Sequence, residues 1–172
     1  MAVYLLGSRR VKIARSTAIT VFREAPAGAR VVKAFSKYQA RCEGILDQEQ
    51  VIPVGAWVDV GIEWDAIDQA TVQENWSAIH IAVSVDGQEI ASPKQYTVGP
   101  HTVQIECPER TRTGYAMALQ MVVPPLSPGD HQVRWVITFE RNLGDGWDQY
   151  PQGETIEVTS ALHALAALAT NA

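Results

Sequence analysis

Cysteine, long apolar runs and, over the first quarter of the chain, acidic residues are scarce in this sequence. Two cysteines in 172 residues exclude a cysteine-rich zinc module and a small disulfide-dense scaffold. No apolar run approaches the roughly 20 residues that a transmembrane helix needs. The remaining composition, 47% hydrophobic and 19% charged, is typical of a globular protein, and the length fits one domain with an extension.

Motifs of catalysis and of metal binding are also missing. The GxSxG motif of serine nucleophiles does not occur, and the four histidines are isolated, without HxH or HExxH spacing. The 142–148 loop (NLGDGWD) offers oxygen ligands, but it lacks the regular ligand spacing of a calcium loop, so a plain hairpin loop is favoured. We therefore predict no catalytic residue, no metal site and no cofactor.

Alternation of apolar and polar residues dominates the chain from residue 58 onward, and a period of two is typical of half-buried β-strands. The Asp86-Gly87 pair follows one alternating stretch directly and indicates a hairpin. We predict an all-β protein built as an antiparallel β-sandwich of about seven to nine strands. The alternating stretches are residues 58–65, 79–85, 102–107, 115–123, 133–139 and 156–158.

One turn late in the chain carries the most recognisable local signature. Leu126-Ser127-Pro128-Gly129-Asp130-His131 resembles the turn that enters the late strand of immunoglobulin-like and fibronectin-type modules. Residues 50–159 as a whole resemble such modules of secreted bacterial proteins and lipoproteins. The resemblance implies an Ig-like sandwich that serves as an accessory or adhesive module outside the cell or at its surface, and it carries over no catalytic residue. The other turn and strand signals that support it are Ile52–Gly55, Trp64, Val85-Asp86-Gly87 and Asp145-Gly146.

Two stretches depart from the alternation. Residues 65–77 place Val72 and Trp76 at helical spacing, which predicts a short helix across one end of the sandwich. Residues 160–172 place three leucines on one stripe behind a Ser160 N-cap and predict a short C-terminal helix. The predicted organisation is therefore a basic β-hairpin extension over 1–49, an Ig-like sandwich over 50–159, and a short C-terminal helix or tail over 160–172.

Charge is segregated along the chain. Residues 1–41 carry nine Lys or Arg and one acid, and residues 42–172 carry five bases and eighteen acids, so the formal net charge of −5 divides into +8 and −13. A basic hairpin beside an acidic body can dock on its own body, dock on a neighbouring copy, or bind a polyanion. The candidate partner-binding residues are Arg9, Arg10, Lys12, Arg15, Arg30 and Lys33 on the basic side, and Asp59, Glu63 and Asp65 on what we expect to be the outward face of one strand.

These observations predict a non-catalytic structural or interaction module, a subunit of a surface or extracellular assembly. Its partners would be other protein chains, a second copy of this chain among them. Nucleic acid is less favoured because the body is acidic, and a polyanion-binding coat-type protein remains an alternative. A further alternative is a carbohydrate-binding domain that uses Trp147 and Tyr150, which lie in a loop rich in Asp, Gly and Gln.

The two cysteines, Cys42 and Cys107, lie sixty-five residues apart. A disulfide between them could cross a β-sandwich in an oxidising compartment, and two buried free thiols are the alternative. The sequence leaves both open.

Overall fold

Strands make up most of what the computed structural model describes, which is residues 19–34, 48–107 and 110–166. Within those residues the structure holds one α-helix, α1 (Gln69–Ser77), and a 3-10 helix, Pro93–Tyr96. The predicted all-β class is confirmed. The strands are β1 (Val31–Lys33), β2 (Gln48–Pro53), β3 (Trp57–Asp59), β4 (Ile62–Ala66), β5 (Ile79–Val85), β6 (Gln88–Glu89), β7 (Thr97–Cys107), β8 (Arg110–Leu119), β9 (Val122–Val123), β10 (Gly129–Phe139), β11 (Leu143–Gly144), β12 (Gln149–Tyr150) and β13 (Thr155–Leu165).

One five-stranded sheet forms a whole layer, in the order β2-β13-β10-β5-β6. Its central strand β10 pairs antiparallel with β13 and β5, so that Trp135 lies between Val158 and Val83. These three side chains are at most 2% exposed, because alternate residues of each strand point to the same face. The β5–β6 hairpin turns at Asp86-Gly87, as the sequence predicts.

The opposite layer consists of two three-stranded sheets, β1-β3-β9 and β4-β8-β7. The Trp64 ring of β4 lies edge-on against the Phe139 ring of β10, with ring centroids 5.5 Å apart. The two layers thus enclose one core. Two strand pairs, β1 with β3 and β2 with β13, are parallel, so the prediction of a purely antiparallel arrangement is wrong. Each parallel pair joins strands that a hairpin does not connect, which is the condition for parallel pairing.

The predicted helix between β4 and β5 is confirmed, with later bounds. The side chain of Asp68 caps its first turn by accepting a hydrogen bond from the Thr71 backbone N–H at 2.8 Å. Val72 and Trp76 face the core, and the Trp76 indole donates to the Thr97 hydroxyl at 3.1 Å. The helix therefore closes one end of the two layers.

The basic segment does not fold as one hairpin over its described residues, 19–34. Phe22 bridges to Val122 of β9, whereas β1 pairs with β3. Since β3 and β9 pair with each other, Phe22 and β1 lie at opposite edges of the small sheet, β1-β3-β9. Ile19, Val21 and Val32 pack against the core. Two strands that paired only with each other could not bury these side chains, so apolar burial favours the observed arrangement.

The predicted C-terminal helix from Ser160 is wrong over the described residues. The chain stays extended in β13 as far as Leu165, and it pairs on one side with β10 and on the other with β2. Ser160, Leu162 and Ala164 alternate as buried residues, so tertiary pairing outweighs the helical propensity of alanine and leucine. The remaining predicted helical residues, 167–172, lie outside the described part.

No helix among the described residues is long and apolar enough to cross a membrane.

Candidate interaction surface

The outer face of the small sheet exposes apolar side chains. Val31 of β1 lies directly beside Trp57 of β3 in the parallel register, and the Phe22 ring meets the Trp57 ring edge-on with centroids 5.4 Å apart. Phe22 is 42% exposed and Val31 48%, and Trp57 is half-buried. We call Phe22, Val31 and Trp57 the aromatic patch. A contiguous group of exposed apolar side chains is a candidate interaction site.

Backbone hydrogen bonds hold the aromatic patch in place. The Phe22 N–H donates to the Val122 carbonyl at 2.9 Å, and the Val122 N–H donates back to the Phe22 carbonyl at 2.8 Å. On the other edge the Trp57 N–H donates to the Arg30 carbonyl at 2.9 Å. The patch is therefore a fixed part of the fold, with little ordering entropy to lose when a partner binds.

Basic side chains border the aromatic patch. Arg30 is exposed beside Val31, and Lys33 lies on the same face, opposite Asp59 in the register. Arg23 donates to the Gln95 carbonyl, and its guanidinium carbon lies 5.9 Å from the Tyr96 ring centroid. Of the predicted basic residues, Lys33 lies on the face of the aromatic patch, and Arg30 is exposed next to Val31 in the sequence. The other four, Arg9, Arg10, Lys12 and Arg15, lie outside the described residues.

The three predicted acidic residues do not share one exposed strand face. Asp59 and Glu63 line a cavity of about 200 Å³ together with Lys33 and His101. Asp65 is only 8% exposed, so the prediction that it faces outward is wrong. The alternation itself is unbroken, with Val58, Val60, Ile62 and Trp64 all buried, and Asp65 is covered because α1 packs against β4.

The acidic side chains that line the cavity beside Lys33 lie next to basic groups of the same chain. The Asp59 carboxylate accepts the Gly61 N–H at 2.9 Å, and His101 Nε2 lies 3.9 Å from the Glu63 carboxylate. Lys33 lies across the register from Asp59. In this structure the acids that were expected to receive a basic hairpin of another copy are next to a lysine and a histidine of their own chain. They do not form an open acidic socket.

The aromatic loop does not present two rings to a sugar. Tyr150 is 5% exposed, with its ring centroid 5.0 Å from those of Trp64 and Phe139. Its assignment to an exposed sugar platform is wrong, because the ring belongs to the core. Trp147 is half-buried, and the Arg112 guanidinium carbon lies 5.4 Å from its ring centroid.

Asp145 organises this loop, and sequence reasoning missed it. It is 1% exposed, and its carboxylate accepts the N–H groups of Trp147 and Asp148 at 2.8 Å each and the Tyr150 hydroxyl at 3.0 Å. The Asp-Gly-Trp sequence carries the signal, since an Asp side chain readily accepts backbone N–H groups two and three residues on. Across the described part of the chain, no three His, Cys, Asp or Glu side chains are grouped so as to hold a metal ion.

The aromatic patch also escaped prediction, although part of its signal was present. Trp57 precedes Val58 in an alternating stretch, which puts the two side chains on opposite faces, and Val58 is fully buried. What the sequence does not show is that Phe22 and Val31 reach Trp57 from two different edges. Cys42 lies outside the described residues, as does the side chain of Cys107, so their pairing stays a prediction.

No family model and no curated protein matches this chain. Among solved structures, the chain is similar to a cysteine protease inhibitor from Entamoeba histolytica, EhICP2, at 8% identity and a TM-score of 0.36, over 80% of this chain and 100% of that one. It is also similar to a structure of PbICP-C in complex with falcipain-2, at 11% identity and a TM-score of 0.37, over the same shares of the two chains. At TM-scores this low, neither likeness carries a conclusion about this chain's fold or function.

Proposed function

We propose that this protein is a non-catalytic interaction module with an Ig-like sandwich, and a subunit of a surface or extracellular assembly. Its aromatic patch, with the basic residues around it, docks on the acidic outer face of the large sheet of a second copy. The observation that supports this proposal is the contact between Phe22 and Trp57 on an exposed sheet face. Aromatic residues and arginine are the side chains that most often dominate binding energy at protein interfaces.

The surface proposed to receive the patch is the outward face of β13, β10, β5 and β6. At its centre Ala82 lies beside Val136 in the register, and both are half-buried. Glu89, Asp130 and Glu157 surround this centre, and we call these three residues the acidic face. Arg134 is the one arginine on these strands in the described chain, and it already donates to both oxygens of Glu157 at 2.6 Å.

Charge complementarity supports this pairing. Arg30 on one copy would approach Glu89 on the next, while the aromatic patch covers Ala82 and Val136. Two different surfaces meet in such a contact, so it is heterologous and builds a ring or an open chain of subunits. Opposite charges at the border mainly accelerate association and fix orientation.

Sedimentation velocity on the full chain over a range of concentrations, at low and high salt, tests the proposal. We expect concentration-dependent association that weakens with salt, because the bordering charges are exposed and screened. Val31→Glu should weaken association at least tenfold. Ile67→Glu is the matched control, since Ile67 is also 48% exposed but lies outside both surfaces.

A reciprocal exchange separates docking from a general charge effect. Arg30→Glu should weaken association, and adding Glu89→Arg to it should restore part of the loss. A chain that stays monomeric at every concentration and salt would overturn the proposal, as would equal effects of Val31→Glu and Ile67→Glu.

The two alternatives lack a comparable observation. A carbohydrate-binding domain would have to rely on Trp147 without Tyr150. A polyanion-binding protein would use Arg9, Arg10, Lys12 and Arg15, of which the structure describes none. A glycan array and retention on an anionic matrix test these alternatives directly.

A further inference from the structure

Two loops meet at one end of the large sheet through a single histidine. Residues 126–128 lead into β10, of which His131 is the third residue, and the Asp86-Gly87 turn joins β5 to β6. His131, whose side chain is 9% exposed, lies between them. Leu126, at the start of the segment 126–128, packs against the core, so this segment covers the end of the apolar interior.

Both ring nitrogens of His131 face oxygen acceptors. Nδ1 lies 2.7 Å from a carboxylate oxygen of Asp86, and Nε2 lies 2.8 Å from the Ser127 carbonyl oxygen. A neutral imidazole carries a hydrogen on only one nitrogen, and the other nitrogen would then turn its lone pair towards an oxygen. Both contacts are hydrogen bonds only when the ring is doubly protonated. The geometry therefore describes a cationic histidine.

Asp86 also bonds to the backbone of β10. Its second carboxylate oxygen accepts the Gln132 backbone N–H at 2.9 Å, so the same side chain ties both the ring and the first residues of β10 to the hairpin. We infer that His131 acts as a proton-operated latch. When it is protonated it fastens the segment 126–128 to the β5–β6 hairpin, and when it loses a proton it releases one of the two.

The charges that face the ring favour the protonated form. Asp86 approaches from the hairpin and Asp130 from the start of β10, and Asp130 is in turn bonded to Nδ1 of His163 on β13 at 2.8 Å. Burial alone would lower the pKa of His131, but the hydrogen bonds to Asp86 and Ser127 and the charges of Asp86 and Asp130 raise it above its ordinary value of 6.5. The neighbouring groups thus keep His131 protonated at pH values where an unperturbed histidine is neutral.

The sign of the pH effect follows from this raised pKa. A histidine with a higher pKa in the folded than in the unfolded protein contributes stability that is complete below the unfolded pKa. That contribution is lost as the pH rises through the folded pKa. The segment 126–128 should therefore be held to the β5–β6 hairpin in mildly acidic solution and separate from it more often in alkaline solution.

The inference can be tested by NMR titration of the histidine rings, together with amide hydrogen exchange between pH 5.5 and 9 corrected for intrinsic exchange rates. We expect His131 to titrate above 6.5, the ordinary value. We also expect the protection of the Gln132 amide to fall at least tenfold across that titration. In His131→Gln, which keeps a donor but cannot gain a charge, protection should be low and independent of this titration.

The matched control is His163→Gln, because His163 makes a similar contact with Asp130 at a more exposed site, where the carboxylate is 88% exposed. We expect this variant to keep the pH dependence of the Gln132 amide. An His131 pKa at or below the ordinary value would overturn the inference, and this measurement needs only the wild-type protein. Unchanged pH dependence in a folded His131→Gln variant would also overturn it.

Discussion

The indole of Trp135 donates a hydrogen bond to the backbone carbonyl of Val60 across the core, with 3.0 Å between nitrogen and oxygen. Trp135 belongs to β10 of the large sheet, and Val60 lies in the link between β3 and β4. The Val60 N–H donates to the Met121 carbonyl at 2.8 Å, so Val60 connects both layers. Both residues are fully buried, so this contact is a polar link between the two layers inside the core.

Trp135→Phe should destabilise the protein by about 2–4 kcal/mol. The change leaves the buried Val60 carbonyl without its partner and opens a small cavity. Urea unfolding measures the loss. Trp76→Phe is the control, because its partner, the Thr97 hydroxyl, keeps a second hydrogen bond to the Lys94 carbonyl at 2.7 Å. Equal losses in the two variants would show that the Val60 contact has no special weight.

Asp145→Ala should cost more stability than Tyr150→Phe. Replacing the carboxylate leaves two backbone N–H groups and one hydroxyl without their acceptor, and we expect a loss of about 3–5 kcal/mol. Tyr150→Phe removes only the hydroxyl and should cost about 1 kcal/mol. Thermal unfolding compares them, and a loss in Tyr150→Phe as large as in Asp145→Ala would contradict the central role of Asp145.

Gly61→Ala should be strongly destabilising for a steric reason. A Cβ at this position would overlap the backbone carbonyl oxygen of Leu119 and crowd the Asp59 carboxylate, and backbone atoms cannot move aside as a flexible side chain can. We expect a loss above about 2 kcal/mol. Gly153→Ala is the control, because a Cβ at Gly153 would contact no other atom. Its φ of +80° still makes alanine unfavourable there, by about 1 kcal/mol.

Removal of residues 1–34 should destabilise the body of the protein. Ala34 is fully buried, and Ile19, Val21 and Val32 pack against the core. Since burying one such aliphatic side chain is worth about 1.5–3 kcal/mol, we expect a loss of at least about 3 kcal/mol. The control is a chain that begins at residue 19, which keeps every one of these contacts. Urea midpoints compare the two, and equal stabilities would show that the segment contributes nothing to the fold.

Local signals predicted the elements whose side chains repeat with a clear period. The alternation over 79–85 followed by Asp86-Gly87 gave β5 and its hairpin, because the pattern and the turn chemistry agree. The helix α1 was predicted for the same reason, since Val72 and Trp76 are one turn apart and both buried. In each case the information lies within about ten residues.

Elements set by distant neighbours were not predictable. The end of β13 is rich in alanine and leucine, and only its position between β10 and β2 keeps it extended. The burial of Asp65 depends on how α1 packs back against β4, and the burial of Tyr150 depends on Trp64, which lies 86 residues earlier in the sequence. The aromatic patch depends on pairings across the small sheet. Propensity and period describe none of these relationships.

The position of Phe22 on the far edge of the small sheet has a consequence for synthesis on the ribosome. Its pairing partner is Val122, which is made one hundred residues later. At about 5–20 residues per second, the segment around Phe22 waits on the order of 5–20 s for that partner. During this interval its apolar side chains and unpaired backbone are open to other chains. Among the described segments that pair with β9, the segment around Phe22 is therefore the one whose pairing must wait longest after its own synthesis.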